Sequence, residues 1–160
     1  MSTNLIRNFS FENGLENWNQ SGGAGTGQIQ AAYQGQIIAD LSNLSFPPEV
    51  VISQLVRVPA EATHFHVVYS VLPVSASHGP LAVQVEFRGS ANLDPPLPLL
   101  RTDVIDLILQ DALVTEAWQT RFAVTGEIPP GTAWARLRFV HPLVFSADRL
   151  FLDAVYMTTD

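Results

Sequence analysis

The sequence contains no cysteine and no lysine. Without cysteine there is no disulfide scaffold, thiol nucleophile or cysteine-ligated zinc site. Without lysine there is no Schiff-base chemistry and no phosphate-binding lysine of a P-loop, because all eight basic residues are arginines. Also missing are an apolar run of the ~20 residues that a transmembrane helix needs and the basic start and apolar core of a secretory signal.

Charged residues are scarce and their balance is acidic. Only 14% of the 160 residues are charged, and the net charge is −7. A protein that binds nucleic acid or anionic lipid needs a dense basic surface, so we predict neither nucleic acid nor membrane as a partner. The length is that of one domain, and we predict a single domain over residues 1–160.

Apolar residues recur mainly with the period of two that is typical of strands. Proline- and glycine-rich turns separate these segments, as at Pro129-Pro130-Gly131. Many short strands between such turns predict an all-β sandwich or barrel. The segment 103–113 could be a helical turn or a strand with an irregular end, and we favour the strand. The clearest strand-like segments are 37–41, 50–58, 63–72, 81–88, 118–124, 134–140 and 150–157.

Motifs near both ends of the chain resemble a known family. Residues 4–18 read NLIRNFSFENGLENW, residues 52–59 read ISQLVRVP, and residues 150–157 read LFLDAVYM. These segments, with 118–139, resemble the jelly-roll carbohydrate-binding modules of families four and nine. They also resemble the short N-terminal jelly-roll domains of tandem-repeat-rich bacterial surface proteins. One difference is Ala154, which stands where the family often has a second aspartate.

The resemblance implies a jelly-roll β-sandwich of two antiparallel sheets with the first and last strands adjacent. It also implies a structural calcium ion that joins the two ends of the chain through Glu12, Asp153 and the Ser10 carbonyl, with a carbonyl near residues 34–36 as a further candidate. Calcium takes six to eight oxygen ligands, of which only two side chains can be named here. The simpler alternative is that Glu12 and Asp153 cap turns.

Alternation also assigns residues to the two faces of each strand. If the strands share one sheet, its outer face combines an aromatic platform with planar hydrogen-bonding side chains, as sugar recognition requires. We therefore predict a glycan-binding site, with Tyr33 as a weaker second platform. The simpler alternative is an ordinary polar face on which arginines pair with Glu86. The predicted site residues are Trp134, Arg136, Arg138, Glu86, Gln84 and His66. The residues predicted to point into the core include Phe65, Val67, Tyr69, Val71, Leu81, Val83, Val85, Phe87, Ala135, Leu137 and Phe139, and also Trp18, Trp118, Thr120, Phe122 and Val124.

Other chemistry has weaker support. His64 and His66 lie two apart on one strand, which suits a transition metal, but only Glu86 is available as a third ligand and a surface pair is favoured. The sequence has no G-x-S-x-G, no H-E-x-x-H and no glycine-rich loop leading into a helix, so we predict a protein that is not an enzyme. The glycine-rich segment 21–27 is predicted to be a loop.

A second hypothesis is a self-assembling structural domain of a bacterial surface or spore-type layer. Apolar, proline-rich segments around Leu93, at 95–100 and at 142–145 would provide the contacts of a homo-oligomer. The alternative is that these segments fold over the ends of the sandwich. The sequence makes no prediction of localisation.

Overall fold

A computed structural model describes residues 3–42, 49–75, 78–89, 99–142 and 149–160. These residues form ten strands. In chain order the strands are β1 (Asn19–Ser21), β2 (Gly25–Gln28), β3 (Ile37–Asp40), β4 (Glu49–Arg57), β5 (Phe65–Pro73), β6 (Leu81–Arg88), β7 (Leu99–Ile108), β8 (Gln119–Val124), β9 (Trp134–Pro142) and β10 (Leu150–Thr159). Across these ranges, no helix is long and apolar enough to cross a bilayer.

The strands form two five-stranded antiparallel sheets. The front sheet has the order β1-β4-β9-β6-β7, and the back sheet has the order β2-β3-β10-β5-β8. The predicted all-β sandwich of two antiparallel sheets is confirmed. The segment 103–113 is a strand with an irregular end, as predicted: β7 runs to Ile108, and turns follow it.

The adjacency predicted for the first and last strands is wrong. β1 belongs to the front sheet and β10 to the back sheet. The segment that lies beside β10 precedes β1: the Leu5 N–H donates to the Met157 carbonyl at 2.8 Å, and the Val155 N–H donates to the Phe9 carbonyl at 2.9 Å. This segment forms only isolated backbone bonds with β10 instead of a continuous ladder.

The core lies between the sheets and is built from alternate residues of the central strands. Each core-facing residue predicted on β5, β6 and β9 is fully buried, including Tyr69, Phe87 and Phe139. Trp18 is buried as predicted, and its indole N–H donates to the Asn8 carbonyl at 3.2 Å. The hydrophobic alternation therefore correctly orients the strands that have neighbours on both sides.

The orientation predicted for β8 is wrong. Phe122 is 64% exposed, Val124 and Thr120 are also exposed, and Ala123 points inward instead. The cause is the register with β5, which pairs Tyr69 with Arg121 and places Arg121 on the inner side. Trp118, predicted to be in the core, is only half-buried before β8, and its indole N–H donates to the Ala31 carbonyl at 2.6 Å.

The inward-pointing Arg121 completes a polar link between the two sheets. Asp106 of β7 accepts hydrogen bonds from the Tyr69 hydroxyl at 2.8 Å and from two guanidinium nitrogens of Arg121 at 2.6 and 2.9 Å. Burial acts to raise the pKa of Asp106, but the hydrogen bonds from Arg121 and Tyr69 outweigh it, and the net pKa is lowered. The link joins β7 of the front sheet to β5 and β8 of the back sheet.

We predict that Tyr69→Phe lowers the free energy of unfolding by about 1–2 kcal/mol, since the partly buried Asp106 carboxylate loses one donor. Because the pKa of folded Asp106 is lowered, the effect should be full above about pH 4 and should fade as the pH decreases below that value. Urea denaturation across this pH range measures both. Tyr156→Phe, which removes a surface hydrogen bond to Gln34, is the control, and an equal effect of both variants would contradict the prediction.

Candidate ligand-binding face

The outer face of the front sheet carries most of the residues predicted to bind a ligand. β9 lies between β4 and β6, and their registers arrange the outward side chains in rows. One row contains Arg57, Trp134 and Arg88. The next contains Leu55, Arg136 and Glu86, and a third contains Ser53, Arg138 and Gln84. Neighbouring strands lie about 4.8 Å apart, so each row brings its side chains into contact range.

His66 does not belong to this face. It lies on β5 in the back sheet, so the assumption that all the predicted site residues share one sheet is wrong for this residue. Its ring stacks against Phe122, with centroids 6.1 Å apart. His64, the other histidine considered as a metal ligand, hydrogen-bonds to Asp160. The described residues contain no cluster of three or more metal-ligating side chains.

Glu86 is the centre of an arginine cluster on the front face. Its side chain is only 8% exposed. Arg88 donates to its Oε2 through Nε and Nη2 at 3.0 and 2.7 Å, and Arg138 donates to its Oε1 at 3.1 Å. Arg136 is less tightly paired, because its Nη1 lies 3.8 Å from Glu86 Oε2. One carboxylate thus faces three guanidinium groups.

Neutral partners fix the planes of these arginines. The Arg136 Nε donates to the Ser53 hydroxyl at 3.0 Å, and Arg138 donates to the side-chain carbonyl of Gln84 at 3.0 Å. Burial lowers the pKa of Arg136; of the surrounding charges, Glu86 raises it, whereas Arg138 and Arg88 lower it. Hydrogen bonds within the protein therefore orient these guanidinium groups.

Trp134 lies between the turn that precedes β9 and a groove beside the end of β4. The turn before β9 contains Pro130 and Gly131, whose φ of 84° is readily adopted only by glycine and suits the third position of a type II turn. Trp134 also borders a groove of about 470 Å³ beside the end of β4, which Arg7, Asn17, Gln54 and Arg57 line as well. The groove extends the front face beyond the sheet.

Sequence reasoning missed several members of this face. Ser53, Leu55 and Arg57 alternate within the ISQLVRV strand, and this alternation could have placed them outward. Arg88 follows the same alternation on β6 as Gln84 and Glu86 but was not assigned to the site. The groove residues Arg7 and Asn17 gave no such signal, because the segment 3–18 contains no strand.

A second group of aromatic residues lies on the outer side of the back sheet. Tyr33 and Trp118 form an edge-to-face pair with centroids 6.0 Å apart, and Thr120 donates a hydrogen bond to the Tyr33 hydroxyl at 3.1 Å. Phe122 and Val124 are exposed nearby on β8. This group contains Tyr33, the weaker platform predicted from the sequence.

The two carboxylates predicted to hold calcium meet at the same loop. Glu12 accepts hydrogen bonds from the Gln36 and Ile37 N–H groups, and the buried Asp153 accepts from Gln34 and Ala154. Burial raises the pKa of Asp153, and the Glu12 carboxylate adds to this effect against the backbone donors. Gly35 permits the approach, since a Cβ there would lie 2.3 Å from Glu12 Oε1.

The charge of these residues suits a hard cation such as calcium. The carboxylates of Glu12 and Asp153 lie near enough for the Glu12 charge to affect Asp153, at a site that is partly buried. Ser10 lies between Asn8 and Phe11 in a turn closed by the Phe11 N–H, which donates to the Asn8 carbonyl at 3.2 Å. The carboxylate oxygens already accept backbone hydrogen bonds, which also agrees with the turn-capping alternative. Calcium binding therefore stays a prediction.

Comparison with known proteins supports the fold. No protein-family model matches the sequence, and no curated protein is significantly similar to it. A family 61 carbohydrate-binding module in complex with β-1,4-galactotriose matches 99% of this chain and all of its own, at 19% identity and a TM-score of 0.67. The family 22 xylan-binding domain of Paenibacillus barcinonensis Xyn10C matches 99% of this chain and 95% of its own, at 17% identity and a TM-score of 0.66.

An enzyme also has this fold. A Stig cyclase from Fischerella matches all of this chain and 98% of its own, at 13% identity and a TM-score of 0.74. A family 4 carbohydrate-binding module is a further match, at 12% identity. The chain thus has the jelly-roll fold of carbohydrate-binding modules, as the sequence motifs predicted. The same fold in a cyclase means that architecture alone does not distinguish a binding module from an enzyme.

If calcium binds at Glu12 and Asp153, adding it should raise the melting temperature and a chelator should reverse the change. A ligand at ~100 times its Kd stabilises a protein by ~2.7 kcal/mol. The double variant Glu12→Gln/Asp153→Asn should lose this response, whereas Glu16→Gln, an exposed residue of the same turn region, should keep it. Equal melting temperatures with calcium and with chelator would support the turn-capping alternative.

Proposed function

We propose that this protein is a non-catalytic glycan-binding module whose binding surface is the outer face of the front sheet. The observation that carries the proposal is the arrangement of Trp134 beside Arg136, Arg138, Gln84 and Glu86 on two adjacent strands. An indole ring can cover the apolar face of a sugar, and planar amide, carboxylate and guanidinium groups bind its hydroxyls.

Preorganisation supports this function. The hydrogen bonds from Arg88 and Arg138 to Glu86, and from Arg136 to Ser53, hold the polar groups before a ligand arrives. A ligand that binds such a face meets a smaller loss of side-chain entropy. Modules of the same fold that bind galactotriose and xylan provide independent support.

A panel of plant and bacterial polysaccharides in affinity electrophoresis tests the proposal. We expect retardation by at least one glycan and a loss of affinity of roughly tenfold or more for Trp134→Ala, as for a central aromatic anchor. Phe122→Ala, which truncates an exposed aromatic on the opposite face, should bind like the parent. Loss of binding in Phe122→Ala with retention in Trp134→Ala would contradict the choice of the front face.

Self-assembly as a surface-layer domain is a second candidate, which the edge strand β7 supports. Among the described strands, β7 pairs only with β6, and its side chains Val104 and Leu107 are 57% and 54% exposed. Leu99 and Leu100 are exposed on the same strand. Long, apolar edge strands readily pair with another chain. The remaining segments assigned to this role, around Leu93, at 95–98 and at 143–145, lie outside the described residues.

If β7 mediates assembly, light scattering should detect a homo-oligomer that Val104→Lys/Leu107→Lys converts to a monomer. The charge on both side chains would oppose pairing of the edge. Val114→Lys, at an exposed apolar residue outside the strands, controls for an added charge away from the edge. A parent protein that scatters as a 17.5 kDa monomer over a wide concentration range would exclude this candidate.

A further inference from the structure

The front face is basic on an acidic protein. The chain has a net charge of −7 and eight arginines, yet four of them, Arg57, Arg88, Arg136 and Arg138, project from three adjacent strands. Within the described strands β4, β6 and β9, the acidic side chains on this side are Glu86, among these arginines, and Glu49, at the far end of β4. The local charge is therefore opposite in sign to that of the whole molecule.

Glu86 does not neutralise the cluster. Its Oε2 is engaged by two nitrogens of Arg88 at 3.0 and 2.7 Å, and its Oε1 accepts from Arg138. Arg136 stands 3.8 Å away and hydrogen-bonds through Nε to an uncharged hydroxyl. With three arginines and one carboxylate, the cluster has two positive charges in excess.

This cluster of arginines lowers the stability of the fold when no anion is bound. The side chains of Arg136 and Arg138 are each only 23% exposed, so part of their hydration is lost. Among the described residues, the buried Nε of Arg138 has no hydrogen-bond partner. Like charges that are partly desolvated and incompletely paired destabilise a fold unless an anion compensates them. The excess charge is thus suited to a ligand.

The shape of the cluster favours a carboxylate. Arg136 and Arg138 are two residues apart on β9, with their backbones about 6.6–6.8 Å apart, and both lie on the Trp134 side of the sheet. A guanidinium fork matches the planar carboxylate in a bidentate pair. A uronic acid offers this carboxylate next to a sugar ring, which Trp134 could cover while the acid group reaches the arginines.

We infer that the front face binds an acidic glycan and that Arg136 and Arg138 pair with the carboxylate of a uronic acid residue. This inference rests on the proposed glycan-binding function and names its substrate class. It assigns Ser53 and Gln84 as positioning residues, since they hold the guanidinium planes of Arg136 and Arg138.

The experiment compares each of several uronic acid polymers, such as polygalacturonate and alginate, with the same polymer after reduction of its carboxyl groups. Calorimetry on the intact protein should show binding to one acidic form and an affinity roughly tenfold or more lower for its reduced form, as expected for loss of a charged hydrogen-bond partner. Binding to the acidic form should also weaken as salt rises from 50 to 500 mM, because salt screens the charges.

Variants locate the interaction. Arg136→Gln should weaken binding of the acidic form roughly tenfold or more, and Arg136→Lys should restore part of it, because the charge returns without the fork. Arg149→Gln, which removes an arginine immediately before β10 of the back sheet, is the matched control and should bind like the parent. Melting curves verify folding; if Arg136→Gln does not fold, the salt dependence and the reduced polymer decide the question.

The outcomes separate this inference from the proposed function. Equal binding of acidic and reduced polymers, with loss in Trp134→Ala but not in Arg136→Gln, would overturn the acidic-glycan inference and leave glycan binding intact. Equally tight binding of a sulfated glycan without carboxylates would overturn the carboxylate assignment. Absence of binding to every glycan, acidic or neutral, would overturn both.

Discussion

The register of β9 between β4 and β6 is the constraint on which the front face depends. On one side of β9, Ala135, Leu137 and Phe139 are fully buried. On the other side, Trp134, Arg136 and Arg138 meet side chains of both neighbouring strands. Because side chains alternate along a strand, a shift of one residue would move two arginines into the core. The same hydrophobic burial that holds the sandwich together therefore also fixes the arrangement of the basic cluster.

Electrostatics has different roles on the inner and outer sides of the front sheet. On the inner side, Asp106, Arg121 and Tyr69 form a link in which one carboxylate matches one guanidinium and a hydroxyl. On the outer side, Glu86 faces three arginines, so the charges do not balance. A balanced, partly buried pair suits a structural link between sheets, whereas an unbalanced cluster on an outer face suits a ligand of opposite charge.

Carbohydrate-binding modules and cyclases share this architecture at low sequence identity, so the fold leaves the function open. What distinguishes this chain is the set of side chains on its faces. The front face is rich in arginine around one tryptophan, whereas the back face presents Tyr33, Trp118 and Phe122. The proposed function follows from the first of these faces, which combines an aromatic ring with fixed polar groups.

Local alternation and motifs by themselves determined the all-β class, the inner faces of β5, β6 and β9, and the outward position of Trp134, Arg136 and Arg138. These features depend on the period of a single strand, which a sequence contains. Only the tertiary structure decided that His66 lies in the other sheet and that Phe122 points outward while Arg121 points inward. The physical reason is that sheet membership and edge-strand orientation come from pairing between distant segments. Tyr69 and Asp106 hold Arg121 inside, and no local pattern around β8 records that interaction.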